Sequence, residues 1–318
     1  MFENLRRVVV GVISASDGNI WLAKRQAHQS QGSLWEFPGG KIEPGEGAME
    51  ALQRELYEEL ALQVNPADCR RLIEIPWRYQ EGGVRLEVWR VERYQGEPQG
   101  REGQRLQAVP ISALGEYPFP AANRAIISAL QLGERILITP EPPESADKWP
   151  DYWQLLQQQM ARRQIATAIL RANTVTGVEA YRRWAELGAQ LLRVAQPDRV
   201  LLRYGEAPLA VETGRHLTSV EVVGLNRRPE ESWLGASCHT LAEAERAVSL
   251  GVDYILLSPV LPTQSHPGAI TLGWQRFGEI CRQLPLPVYA LGGLTESDLP
   301  KVREAGGQGV AAIRGWSI

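Results

Sequence analysis

Cysteine is sparse in this 318-residue chain, and the three present, Cys69, Cys238 and Cys281, stand far apart. An odd, scattered set gives neither a disulfide framework nor zinc-ligand spacing, so the thiols read as reduced and structural. Also lacking is any uncharged apolar run of the roughly 20 residues a membrane helix needs, which argues against a membrane partner. Met1 to Arg7 lead straight into the strand-like Val8-Val9-Val10-Gly11-Val12-Ile13, with no hydrophobic signal core, and the expectation is a cytoplasmic protein. Net charge is small, −3, so nothing drives the whole chain towards duplex nucleic acid or an anionic surface. The expected partner is a small molecule.

What is present is ordinary globular composition, 44% hydrophobic and 22% charged, in a chain long enough for two cores. No internal repeat occurs. The first 130 or so residues read as strands, one well-marked helix and further strands, whereas the rest alternates short apolar strands with helices. A helix over 122–130, closed by Gly133, marks the change, because glycine supplies the left-handed cap. The expected domains are 1–132 and 136–318, with 133–135 as linker.

The chemistry concentrates in Gly40-Lys41-Ile42-Glu43-Pro44-Gly45-Glu46, followed after seven residues by Arg54-Glu55-Leu56-Tyr57-Glu58-Glu59-Leu60-Ala61-Leu62. Pro44-Gly45 marks a turn, and a helix is expected from near Gly47 to Leu60. At 100° per residue Glu55, Glu58 and Glu59 share one face, and Met49, Leu52, Leu56 and Leu60 form an apolar stripe beside it. Three carboxylates on adjoining turns repel one another, which is poor for stability but a good seat for a hard divalent cation. Magnesium keeps part of its shell for water and phosphate oxygens, so the pattern points to polyphosphate chemistry. Read alone, Glu-x-x-Glu-Glu would be a solvated helix face.

The stretch resembles the Nudix box at every fixed position but one, Ala61 standing where the family has glycine. Around it, Trp35-Glu36-Phe37-Pro38-Gly39-Gly40, Gly96-Glu97-Pro98, Glu102-Gly103-Gln104 and Phe119-Pro120-Ala121-Ala122-Asn123 extend the resemblance over residues 5 to 131 to the MutT-type 8-oxo-dGTP diphosphatases. The resemblance implies an α/β/α sandwich with a mixed sheet. It implies that the Gly39 carbonyl with Glu55, Glu59 and Glu102 holds magnesium, with manganese as the alternative ion, and that Glu58 assists. Phe37, Glu36 and Pro38 would shape the base pocket, Asn123 would bond the purine edge, and Lys24, with Arg25 beside it, would touch the nucleotide. The implied reaction is in-line attack of water on the β-phosphorus of a nucleoside triphosphate, releasing monophosphate and pyrophosphate. Glu55 or Glu102 would be the base.

In the second half, eight strand candidates from Ile136 to Ile313 suggest a (β/α)₈ barrel. It is short, 183 residues, and only five residues follow the last strand, so its closing helix is expected to be missing. Either another element covers that gap, the first domain or a second subunit of a homodimer, or the chain has a different number of strands. Gly235 to Thr240, Asp253 to Thr263, and Ala290-Leu291-Gly292-Gly293-Leu294 make this half resemble the thiamine phosphate synthase and TenI family. The resemblance implies a small phosphate ligand near Gly292, Gly293, Thr263 and Ser265 at the strand ends.

The synthase pattern is broken, however, where pyrophosphate and its metal would bind. The chain has Arg171-Ala172-Asn173, Arg203-Tyr204-Gly205 and Thr263-Gln264-Ser265-His266 in place of the expected charged residues. Arg171, Cys238, His239 and His266 remain as candidates for other chemistry. Two functions follow from the sequence. One is an 8-oxo-dGTP diphosphatase that sanitises the nucleotide pool and prevents mutation. The other is a Nudix enzyme acting on thiamine-related diphosphates, its barrel being a phosphate sensor or a TenI-like enzyme.

Overall fold

The computed structural model describes residues 5–26, 32–80, 82–205, 209–264 and 268–316. Two compact units, Met1–Leu130 and Gln131–Ile318, make up the chain. Among the described residues no helix is long and apolar enough to cross a membrane.

In the first unit the strands are β1 (Arg6–Ile13), β2 (Ile20–Lys24), β3 (Trp35–Glu36), β4 (Cys69–Tyr79), β5 (Gly82–Val91) and β6 (Arg105–Val109). They form two three-stranded sheets, β1-β5-β4 and β3-β2-β6. The first is mixed, since β1 runs parallel to β5 and β5 antiparallel to β4. Helix α1 (Ala48–Leu60) buries Ala51, Leu52, Leu56 and Leu60 against Val9, Ile13 and Val91. Helix α2 (Arg124–Leu132) packs Ala125, Ile126 and Ala129 into a separate cluster with Val10, Val12, Ile20 and Leu22. Each helix thus presents an apolar stripe to the strands.

Helix α1 stops where the sequence departs from the glycine pattern. Ala61 adopts φ 60, ψ 23, and its N–H bonds the carbonyls of Leu56 and Tyr57. The left-handed cap forms with alanine, at a cost of about 1 kcal/mol relative to glycine.

The second unit is a closed parallel barrel in which all eight strands fall where the hydrophobic runs placed them. They are β7 (Arg135–Ile138), β8 (Thr167–Leu170), β9 (Val200–Arg203), β10 (Gly214–Leu217), β11 (Leu234–Cys238), β12 (Tyr254–Leu257), β13 (Val288–Leu291) and β14 (Gly309–Ala312). Leu132, at the end of α2, joins Ile136, Ile169, Leu202, Leu256 and Ala311 in the interior. Helices α3 (Trp149–Arg162), α4 (Val178–Ala195), α5 (Ser219–Gly224), α6 (Leu241–Ser249), α7 (Gly273–Cys281) and α8 (Leu299–Glu304) connect the strands.

No helix follows β14 among the described residues. Trp316 covers part of that gap: it is 1% exposed, packs in the outer layer and donates its indole N–H to the Ile136 carbonyl at 3.0 Å. A second connection, from β9 to β10, also lacks a helix among the described residues. There Arg203 and Arg215, both 5% exposed, are paired with Glu231 at 2.8 Å and Glu221 at 2.6 Å. Charge pairing makes burial of these guanidinium groups tolerable.

Candidate active site

The first unit carries a cleft of about 740 Å³ between the mixed sheet, the Gly39-Gly40 loop and the exposed side of α1. Arg54 builds its rim. It bonds both oxygens of Glu46 at 2.9 Å, Glu55 at 2.8 Å and the Lys41 carbonyl at 3.0 Å, so one fork ties the loop before α1 to the helix. The same guanidinium holds the Glu46 carboxyl down to about 2.

The glycines are dictated by close approach. A Cβ on Gly39, at φ 144, would stand 2.2 Å from the Val9 carbonyl, and one on Gly40 would strike the Glu55 carboxylate at 2.3 Å. The loop therefore lies flat on β1 and α1. The Gly39 N–H donates to Glu59 at 3.1 Å. Burial nevertheless pushes the Glu59 carboxyl up to about 8, opposed by that N–H and reinforced by Glu36, Glu55 and Glu102. Burial also raises Glu36, which the neighbouring Arg25 guanidinium partly offsets.

Glu102 reaches the cleft on a loop that is stitched to the end of α1. The Gln104 amide donates to the Glu59 carbonyl at 3.0 Å and accepts from the Glu102 N–H at 2.9 Å. Arg101 bonds the Glu59 and Tyr57 carbonyls, both at 3.0 Å, and lies over the Tyr57 ring. Free carbonyls at a helix C-terminus need donors, and these residues supply them.

Of the residues expected to act here, Arg25, Glu36, Phe37, Gly39, Glu55, Glu59, Glu102 and Asn123 line the cleft. Glu58 does not; its side chain is 58% exposed and lies 3.5 Å from Arg54. Lys24 does not either. Successive strand residues point to opposite faces, so Ala23 and Arg25 face the cleft while Lys24 lies over the Trp35 ring. Pro38 contributes its carbonyl to the Gly11 N–H rather than a cleft wall. Phe37 is 3% exposed and stacks on Phe119. Asn123 is 8% exposed, and its side-chain amide has no hydrogen-bond partner among the described residues. Arg6 and Tyr79, which carry no motif, also line the cleft.

The donor set suits a hard cation: oxygen only, with mutually repelling carboxylates. Among the described residues no three acidic, histidine or cysteine side chains converge into a cage. Glu55, Glu59 and Glu102 would therefore share an ion with water and phosphate oxygens, as magnesium prefers.

At the barrel mouth the expected residues are dispersed. Arg171 is paired with Glu141 at 3.0 Å, whose other oxygen accepts from Thr174. Cys238 is buried, its thiol pushed up to about 12. His239 donates Nδ1–H to the Ser258 carbonyl at 2.7 Å. Gly292 and Gly293 have φ 101 and 67, and a Cβ on them would meet Pro259 at 2.9 Å and the Pro262 carbonyl at 2.3 Å. Packing against that segment already explains both glycines. Thr263 is described, whereas Ser265 and His266 lie outside the described residues.

A buried polar group that sequence reading left unassigned is His216 on β10. Its Nδ1 lies 2.8 Å from the Tyr254 hydroxyl and its Nε2 2.9 Å from the Ser237 hydroxyl. Gly235 leaves room for the Tyr254 ring, which a Cβ would approach to 2.2 Å. Complete burial lowers the imidazole to about 3.

A carboxylate-lined cleft on an α/β sandwich, its acidic helix clamped to a glycine loop, defines a polyphosphate hydrolase joined to a parallel barrel. A NUDIX domain model matches residues 9–129, and the thiamine monophosphate synthase model matches residues 157–316. The chain belongs to the Nudix family through its first unit, as a Nudix diphosphatase, and to the thiamine monophosphate synthase family through its barrel. An 8-oxo-dGTP diphosphatase of Escherichia coli is 34% identical over 39% of this chain and 95% of its own length. A CTP pyrophosphohydrolase of the same organism is 37% identical over 38% of the chain and 88% of its own length. A putative thiamine-phosphate synthase 2 of Aquifex aeolicus is 31% identical over 39% of the chain and 74% of its own length.

Proposed function

We propose that the first unit hydrolyses 8-oxo-dGTP and related oxidised purine nucleoside triphosphates to the monophosphate and pyrophosphate, with magnesium. The observation that carries the base is Asn123. It is an amide more than nine-tenths buried, lining a cleft whose other groups include Glu55, Glu59 and Glu102, and it has no partner among the described residues. An amide facing the cleft can pair with a ligand that offers one donor and one acceptor. A guanine edge offers both.

Bound magnesium would offset the triphosphate charge and acidify the attacking water. The chain's own residues do the rest. Glu55, Glu59 and Glu102 position the ion and phosphates, and either Glu55 or Glu102 takes the water proton. Glu55 is held by Arg54 through one oxygen, which fixes its orientation. Arg25 faces the phosphates, and Phe37 walls the base. In the cell this activity would remove oxidised precursors in the cytoplasm before they are copied. The barrel would take a small phosphate ligand; with Arg171 already paired to Glu141, the anion would rest on Thr263 and backbone N–H groups.

The test is the rate of hydrolysis by the full chain with magnesium, read as pyrophosphate from 8-oxo-dGTP, dGTP and CTP and as inorganic phosphate from thiamine diphosphate. The oxidised nucleotide is expected to lead, and in ¹⁸O-labelled water the label should enter pyrophosphate, as attack on the β-phosphorus requires. Equal rates on 8-oxo-dGTP and dGTP would remove the oxidised-base assignment, and fastest turnover of thiamine diphosphate would replace it.

A further inference from the structure

The cleft holds a cation that the proposed chemistry does not use. Arg6 lines it from the first position of β1. Its neighbour Arg7 points to the opposite face and bonds Glu87 at 2.7 Å, whereas Arg6 is exposed and has no partner among the described residues. Along β1, Arg6, Val8 and Val10 line the cleft, and Arg6 pairs in register with Val84 of β5. Gly82 and Gly83, which carry no side chains, border the cleft next to Val84. A Cβ on Gly82 would meet nothing within 4 Å, so space stays open there.

The position of Arg6 relative to the carboxylates decides what it can touch. The Gly11 N–H bonds the Pro38 carbonyl, the Val9 N–H bonds the Gly40 carbonyl and the Ile42 N–H bonds the Arg7 carbonyl, so the segment follows β1 from residue 11 to residue 7, with Gly39 and Gly40, beside Glu59 and Glu55, at residues 9 to 11. Arg6 is three to five residues farther along, roughly 10–16 Å of strand. Between them Val8, Val10 and Leu86 give the strand side of the wall an apolar surface, and Lys41 and Glu43 line the cleft beside it. An apolar slot takes a base, and a guanidinium beyond it meets the base edge rather than the phosphates.

We infer that Arg6 is a base-specificity residue, donating to the keto oxygen of guanine-class nucleotides. This rests on the nucleotide reading of the same cleft. A guanidinium only donates, so it needs an acceptor at the base edge. Guanine and 8-oxoguanine present the 6-keto oxygen; adenine presents an amino group at that corner, and cytosine presents one at its own. Arg contacts to guanine O6 and N7 are the commonest specific reading of a base edge by this side chain. Oxidation at C8 turns N7 into a donor and adds a keto oxygen, so Arg6 keeps an oxygen acceptor on either base. It selects guanine, and oxidation is read elsewhere in the cleft. The two E. coli relatives, one named for 8-oxo-dGTP and one for CTP, show that base choice varies among similar chains.

The experiment compares kcat/KM of the full-length wild type, Arg6→Leu and Arg6→Lys on 8-oxo-dGTP, dGTP, dATP and dCTP. Arg6→Leu is expected to lower the two guanine nucleotides about tenfold or more and leave dATP and dCTP within about twofold, the range of one Arg–base contact. Arg6→Lys keeps the charge without the fork and should show the same selective loss in smaller measure. An equal fall on all four nucleotides, or no fall, overturns the inference, the first by making Arg6 a phosphate or field residue. The wild-type ranking tests the proposed function separately. If cytosine leads, that function falls, and Arg6 is still judged by whether guanine rates alone respond to its loss. A wild type inactive on all four removes both.

Discussion

His216 permits a test in which burial sets the sign of the effect and its order of magnitude. The ring is completely buried, and its pKa falls from an ordinary 6.5 to about 3, chiefly because burial disfavours the cation; Glu221 opposes weakly. In the unfolded chain the ring charges as pH drops below about 6.5, whereas in the barrel it stays neutral until about 3. The stabilisation is thus complete above 6.5 and is lost as pH falls towards 3. The slope approaches about 1.4 kcal/mol per pH unit below 6.5, so about 2 kcal/mol is lost between pH 6.5 and 4.5. For a domain of this size that lowers the barrel's melting midpoint by roughly 5–10 °C.

Proton NMR of the full chain reads the titration directly, because there are only four histidines and His216→Gln identifies the signal. Calorimetry of wild type and variant across pH 4.5–7 then isolates the stability term. The variant should be less stable at pH 7 yet show a shallower acid dependence. A His216 ring signal titrating near pH 6, or the same slope in both proteins, would refute the argument.

Further outcomes follow from the first unit. Glu55→Gln should abolish turnover while leaving the melting midpoint nearly unchanged; near-wild-type activity would remove Glu55 from the site. Gln104→Ala frees the Glu102 loop from the Glu59 carbonyl, and the magnesium concentration for half-maximal binding, read by calorimetry, should rise severalfold; an unaltered value would mean the loop positions itself. Ala61→Gly should stabilise the first unit by about 1 kcal/mol, because it relieves the φ 60 strain at the end of α1; a lower midpoint would contradict this.

Much of the molecule was legible before any coordinates. The eight barrel strands could be read as short apolar runs, since a strand covered on both faces is apolar throughout. Helix α1 and the shared face of Glu55 and Glu59 follow from residue spacing alone, because local periodicity is set within a few turns. The box also named Gly39 and Glu102 through resemblance. Alternation along β2 could have sorted Arg25 from Lys24, had the inward face been known.

What the chain order could not supply were relations across it. That Asn123 lacks a partner among the described residues while Arg171 has one depends on which side chains meet after folding. The same holds for Arg6, which is an ordinary charge near the start of the sequence and becomes a cleft residue only because β1 pairs with β5 and runs beside the Gly39-Gly40 loop. Trp316 and the buried pairs of Arg203 and Arg215 stand beside connections that carry no helix among the described residues, and no local pattern encodes such pairings. Sequence determined the elements and the acidic helix face, because those depend on neighbours a few residues away. Tertiary structure decided which charges are neutralised, which polar groups are left free for a ligand, and which histidine is buried, because burial and pairing are properties of long-range contacts.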